Sequence, residues 1–243
     1  MWADALIVSA ACFVAAFCAG VAGFAFVLVA AAILLHLLPP SLTAPVLVLG
    51  SLLVQSLAVP ALWRDIEWRR LGLFVAAASL GLPLGLWLLW AGPARLIVAG
   101  VGVLLTLYAG YMLGRILLRM SPPRLAGGRG ADAAVAIASG VLGGIGGFVG
   151  ALPAMWADAQ GWPPARARAL MQPFIAVMQA ITIPGLALGG FFTREALWLA
   201  AAASPAMLAG SWLGWRAYRR LPMQGFRIAL LCLLLLSGLS LLA

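Results

Sequence analysis

From Ile7 to Trp63 the chain runs without one aspartate, glutamate, lysine or arginine. A soluble domain carries about 25% charged residues, and a charge-free run of this length cannot be hidden in one globular core. Here 9% of the 243 residues are charged and 65% are hydrophobic. The chain therefore reads as an all-α integral membrane protein, with the lipid bilayer as its first partner.

All fifteen basic residues are arginine, and they cluster in short connectors between apolar runs. That is the pattern of cytoplasmic loops. It gives no contiguous basic surface, so no nucleic-acid partner is expected. Cys12, Cys18 and Cys232 lie inside apolar segments with no disulfide or metal spacing, and read as small packing residues. The first residues carry no basic region ahead of the apolar run, so no cleaved signal peptide is expected. No cofactor and no metal is expected.

Apolar runs bounded by charge, Pro or Gly give the segments. Ala3 to Ala19 is about 25 Å long as a helix and Phe24 to Leu38 about 22 Å, both short of the roughly 30 Å hydrocarbon core. Ser41 to Trp63, Leu71 to Trp90 and Ala94 to Leu118 are long enough to cross. "RMSPPRLAGGRG", Arg119 to Gly130, is an exposed connector by its Pro, Gly and Arg content. The order then repeats. Asp132 to Gly143 spans about 18 Å and Phe148 to Gln160 about 20 Å. Arg166 to Leu188, Ala196 to Trp215 and Met223 to Leu242 follow as full spans.

A shift of 124 places Gly20 on Gly144, Gly23 on Gly147, Phe24 on Phe148 and Pro39-Pro40 on Pro163-Pro164. It also sets Gln55 on Gln179 and Pro60 on Pro184. One residue later, "AAAS" at 76–79 meets "AAAS" at 201–204, Gly85 meets Gly210 and Trp87 meets Trp212. Spaced Pro, Gln, Trp and Gly do not coincide by apolar composition alone, so the chain reads as a duplication. Its parts are a first repeat over 1–118, a cytoplasmic linker over 119–131 and a second repeat over 132–243.

The arginines set the relative orientation of the halves. If 132–160 crosses once, eight arginines fall inside and seven outside. If it goes in and returns, or crosses twice, thirteen fall inside and two, Arg95 and Arg194, outside. The second arrangement is adopted. Each half is then a glycine-tipped helical pair, re-entrant or fully spanning, plus three full spans, and the second half is inverted. Both termini would be periplasmic.

The tips "GVAGFAF" (20–26) and "GIGGFVG" (144–150) carry the functional reading. Broken backbone at membrane depth survives only where protein or a water-filled cavity satisfies it, and inverted repeats place sites at such breaks. A helix starting at Phe24 or Phe148 would present free N–H groups to an anion, with glycine allowing close approach. No arginine lies mid-span, so the positive potential is assigned to backbone. The other reading makes these glycines close-packing seams between helices. Gln55 and Gln179 lie mid-span, as amide donors to a substrate or as interhelical hydrogen-bond partners. His36 reads as interfacial or as a proton relay. Asp158 is expected to pair with Arg166 or Arg168, with proton coupling as the alternative.

In its duplicated halves, both glycine tips, the Pro-Pro after each and the basic central connector, the chain resembles the TauE/SafE sulfite exporter family, also called the sulfonate uptake permease family. The resemblance covers nearly the whole sequence and is one of layout. It implies a plasma-membrane carrier of sulfite, sulfonates or related sulfur-containing organic anions. It carries a binding role to Gly20, Gly23, Phe24, Gly144, Gly147 and Phe148. The second tip adds Gly146, where the first has Ala22. A small anionic substrate is thus expected, and homo-oligomers are compatible with the sequence. An anion channel and a carboxylate carrier are the alternatives. An enzyme is not expected, since the chain has no GxSxG motif and its one His lies near a segment end.

Overall fold

The structure, a computed structural model, describes residues 2–120, 127–218 and 223–243. Ten α-helices form it: α1 (Trp2–Ala22), α2 (Phe26–Leu34), α3 (Pro40–Leu62), α4 (Trp68–Ala91), α5 (Ala94–Leu117), α6 (Arg129–Gly146), α7 (Ala151–Ala159), α8 (Pro164–Leu188), α9 (Arg194–Tyr218) and α10 (Met223–Ser240). A single 3-10 turn, Trp63–Asp65, links α3 to α4. Six helices, α1, α3, α4, α5, α8 and α9, are long and apolar enough to cross a membrane. The Pro-Pro pairs act as the sequence implies. Pro39 and Pro163 are extended, and Pro40 and Pro164 open α3 and α8, because a first-turn proline loses no helical hydrogen bond.

The glycine-tipped pairs are longer on one arm and shorter on the other than their apolar runs imply. α1 continues through Gly20 to Ala22, about 31 Å, and α6 runs from Arg129 to Gly146, about 27 Å. Their return arms α2 and α7 have nine residues each, about 13 Å. The breaks fall at Gly23 (φ 94°) and Gly147 (φ 83°), the left-handed positions that end α1 and α6. Helices therefore start at Phe26 and Ala151, not at Phe24 and Phe148. Of the expected linker 119–131, residues 121–126 lie outside the described residues, and Arg129 to Ala131 are already the first turn of α6.

Helix pairing is crossed between the repeats. α1 lies alongside α9, and α6 alongside α4, each pair parallel. The antiparallel α3–α8 and α5–α10 pairs join equivalent helices across the pseudo-twofold axis. The reason for the crossing is a pair of small-residue seams. A Cβ added at Gly20 would lie 2.7 Å from the Ser211 carbonyl oxygen and 2.8 Å from the Trp215 nitrogen. Gly210 and Gly214 admit the Phe13 and Phe17 carbonyls of α1 in the same way. On the other side Gly81 and Gly85 receive the Ile137 and Val141 carbonyls, and Gly140 and Gly144 face α4 backbone.

The inverted arrangement follows from these contacts. α6 leaves and α7 returns to one end of the bundle, where Arg70 reaches both Asp132 (2.8 Å) and Gln160 (3.4 Å). The Trp156 indole donates to the same Asp132 oxygen at 2.8 Å. Asp132, the first residue of its segment in the sequence reading, is buried by this cluster. Ten of the twelve arginines among the described residues fall at this end, with Arg95 and Arg194 opposite. Arg124, Arg219 and Arg220, part of the sequence tally, lie outside the described residues. α1 begins and α10 finishes at the other end, where exposed His36 meets the Ser240 hydroxyl at 3.2 Å. His36 thus sits at a surface.

One ion pair at the arginine-rich end has a readable pH dependence. Arg166 donates to both Glu67 oxygens, at 2.6 and 3.2 Å, and that hydrogen bond holds the Glu67 carboxyl below its ordinary value of 4.5. A depressed carboxylate stabilises the fold above its unfolded value and loses that contribution as pH falls through its folded value. Both partners are over two-fifths exposed, so the effect is at most about 1 kcal/mol. Comparing melting of the wild type and Glu67→Gln from pH 7 to pH 3 should show a small gap that closes below about pH 4.

Candidate functional site

The two tips meet inside the bundle. A Cβ added at Gly150 would lie 3.6 Å from Phe24 Cβ and 2.8 Å from the Ile175 side chain of α8. Gly23 sits beside Arg168 and Gln172, and Gly147 beside Gln179 and Val48. Gln172 and Gln179 are seven residues apart on α8, about 10 Å along its axis. The tips are therefore adjacent but offset along the bundle.

Each predicted residue has a definite place. Gly23 and Gly147 are the breaks themselves. Gly20 and Gly144 lie within α1 and α6 and face neighbouring helix backbone, and Gly146 lies under the Phe148 ring, 3.0 Å from an added Cβ. Phe148 is buried, whereas Phe24 is half-buried. The Gln179 amide donates to the Gly147 carbonyl at 2.9 Å, closing the second tip. Gln55 is buried on α3 with its Nε2 unpartnered, as is the Ser51 hydroxyl one turn earlier. The first glycine of each pair packs helices and the second breaks one.

The first tip opens on a cavity of about 380 Å³ bordered by Gly23, Phe24, Tyr108, Trp162, Arg168 and Tyr218. Asp158 and Arg227 border it as well, from the arginine-rich end. The Arg168 guanidinium donates to the Gly20 carbonyl at 3.1 Å and to the Val21 carbonyl. These are carbonyls that a helix C-terminus leaves unpaired, at the negative end of its dipole. Its Cζ stands 4.0 Å from the Tyr218 ring centroid. A cationic side chain therefore does lie at a tip, where the sequence assigns the positive potential to backbone. Arg168 reads as a connector arginine in the sequence because only tertiary packing brings α1 to it.

Asp158 does not pair with Arg166 or Arg168. Arg115 at the end of α5 holds one carboxylate oxygen and Arg227 of α10 the other, at 3.3 Å. Arg166 is taken by Glu67 and Arg168 by α1, while the end of α7 lies within reach of Arg115 and Arg227. Arg227 also approaches the Met112 sulfur at 3.7 Å.

One signal in the sequence does point to the cavity. Under the 124-residue shift, Arg168 falls on Ala44 and Gln172 on Val48. The duplication is thus broken where α8 meets the first tip. The second tip has Val48 and Gln179 in contact, and Gly147, Phe148, Val149 and Gly150 are all buried. The halves are alike in backbone and unlike in what fills their tips.

Across residues 8–241 the sequence matches the family described as sulfite exporter TauE/SafE. The chain belongs to the TauE/SafE family. No curated protein and no solved structure matches it. Membership makes this a membrane transporter of a family associated with sulfite and related anions, and the six long apolar helices agree with a multi-pass protein. Among the described residues no group of three or more His, Cys, Asp or Glu could hold a metal ion.

Proposed function

We propose that this TauE/SafE protein is a secondary carrier of a small anion, a sulfite, a sulfonate or a related sulfur-containing organic anion. It works by alternating access in the bacterial plasma membrane, with both termini periplasmic, and it is not an enzyme. The observation that carries the reading is the inequality of the tips. One opens on a cavity walled by two arginines, and the other is closed by Gln179. In an inverted repeat, exchanging those states would carry a bound anion from one end of the bundle to the other. Efflux of an anion down an inside-negative potential releases about 2.3 kcal/mol per charge per 100 mV, so export needs no coupled ion.

Reconstitution in liposomes tests this. Labelled sulfite, or a labelled sulfonate, should move saturably and be accelerated by unlabelled anion on the opposite side. Unitary currents in planar bilayers without such exchange would replace the carrier by a channel. Flux of carboxylates in preference to sulfur oxyanions would replace the substrate class.

A further inference from the structure

The cavity at the first tip joins two chemistries. Arg168 and Arg227 border it, but much of its remaining lining is Phe24, Tyr108, Met171, Phe226, Leu230 and Leu231. We propose that it takes an organic anion with one negative charge and an apolar body, and discriminates against compact inorganic dianions. This rests on the reading of the cavity as the transport site.

Three observations carry it. The first is size. About 380 Å³ lies within the range of about 300–1,000 Å³ in which organic ligands are held, and a three- or four-oxygen ion would occupy a small part of it. The second is the apolar wall. A bare oxyanion would leave those aromatic and aliphatic side chains facing water, while a carbon body would cover them. Each methylene moved from water to such a wall raises affinity about fourfold. The third is charge. Asp158 borders the same cavity, held there by Arg115 and Arg227. Of the groups that line the cavity itself, two guanidinium groups and one carboxylate leave a single net positive charge, with Arg115 behind Asp158 and outside the lining. A second negative charge on the ligand would be set against Asp158 in a sheltered site, where like charges repel more strongly than in water. Asp158 is thus a specificity-determining residue that acts by exclusion.

The test uses the purified full chain and a series with one head group: methane-, butane- and hexanesulfonate, with sulfate as the dianion and hexanol as the neutral control. Affinities are read by thermal shift across a concentration range. Affinity should rise about threefold to fourfold per added methylene until the cavity is full, with hexanol inert and sulfate weakest. Asp158→Asn should raise sulfate affinity at least about tenfold relative to hexanesulfonate. Phe226→Ala should weaken hexanesulfonate and leave methanesulfonate unchanged. A series flat in chain length, or sulfate as the tightest ligand, overturns the inference in the wild-type protein alone and leaves the transport reading standing. Binding of none of these anions overturns both.

Discussion

Gly85→Val is expected to remove folded protein. A side chain at this position would drive into the Val141 carbonyl and lie 2.9 Å from the Gly144 Cα. Both obstacles are helix backbone, which cannot rotate aside as a side chain does. The α4–α6 seam would have to open by the breadth of a side chain along its whole glycine row. Overpacking a core costs about 1–3 kcal/mol where neighbours can adjust, and here the loss should reach or exceed the top of that range. Gly110→Val is the matched control, since nothing lies within 4 Å of an added Cβ there. Size-exclusion profiles and melting temperatures in detergent should separate the two variants sharply. Equal behaviour would mean that the seam is not close-packed.

Arg168→Ala should produce a double loss. The carbonyls of Gly20 and Val21 lose the donor that satisfies them, at about 1–3 kcal/mol of stability for buried groups left unpaired. The cavity also loses one of its two guanidinium groups, and a charge-assisted hydrogen bond of about 1.5–3 kcal/mol corresponds to a tenfold or greater fall in anion affinity. Arg168→Lys keeps the charge without the planar fork, so it should recover part of the affinity and less of the stability. Melting curves with and without anion measure both quantities on one sample. If Arg168→Ala melts lower yet binds as tightly as the wild type, the residue only caps α1.

The sequence is explicit about architecture and silent about partners, for physical reasons. A duplicated row of Gly, Pro and Gln survives among apolar residues because each imposes a backbone or hydrogen-bonding requirement that Leu cannot meet. The distribution of arginines orients the helices because charge resists crossing the bilayer. Which glycine breaks a helix is harder to read. Gly20 and Gly23 look alike in sequence, and only backbone geometry makes Gly23 the left-handed one and Gly20 a contact with α9. Small residues announce a close approach without naming the helix that approaches, so the crossed pairing could not be read. Arg168 and Asp158 were misjudged for the same reason. Their partners lie 147 and 43 residues away, and local spacing favours nearer charges.

The crossed seams bear on how the chain is made and how it arose. α1 is made well before α9, the surface it packs on, with seven α-helices between them in the chain. Until then its glycine face must be held by lipid or by an insertion factor, and assembly waits on contacts of very long sequence separation. A single-repeat ancestor would have met the same need with a second copy inserted upside down, each lending its first helix to the other. The crossed helix pairing of the present chain has the form that such an antiparallel swapped dimer would take if fused end to end.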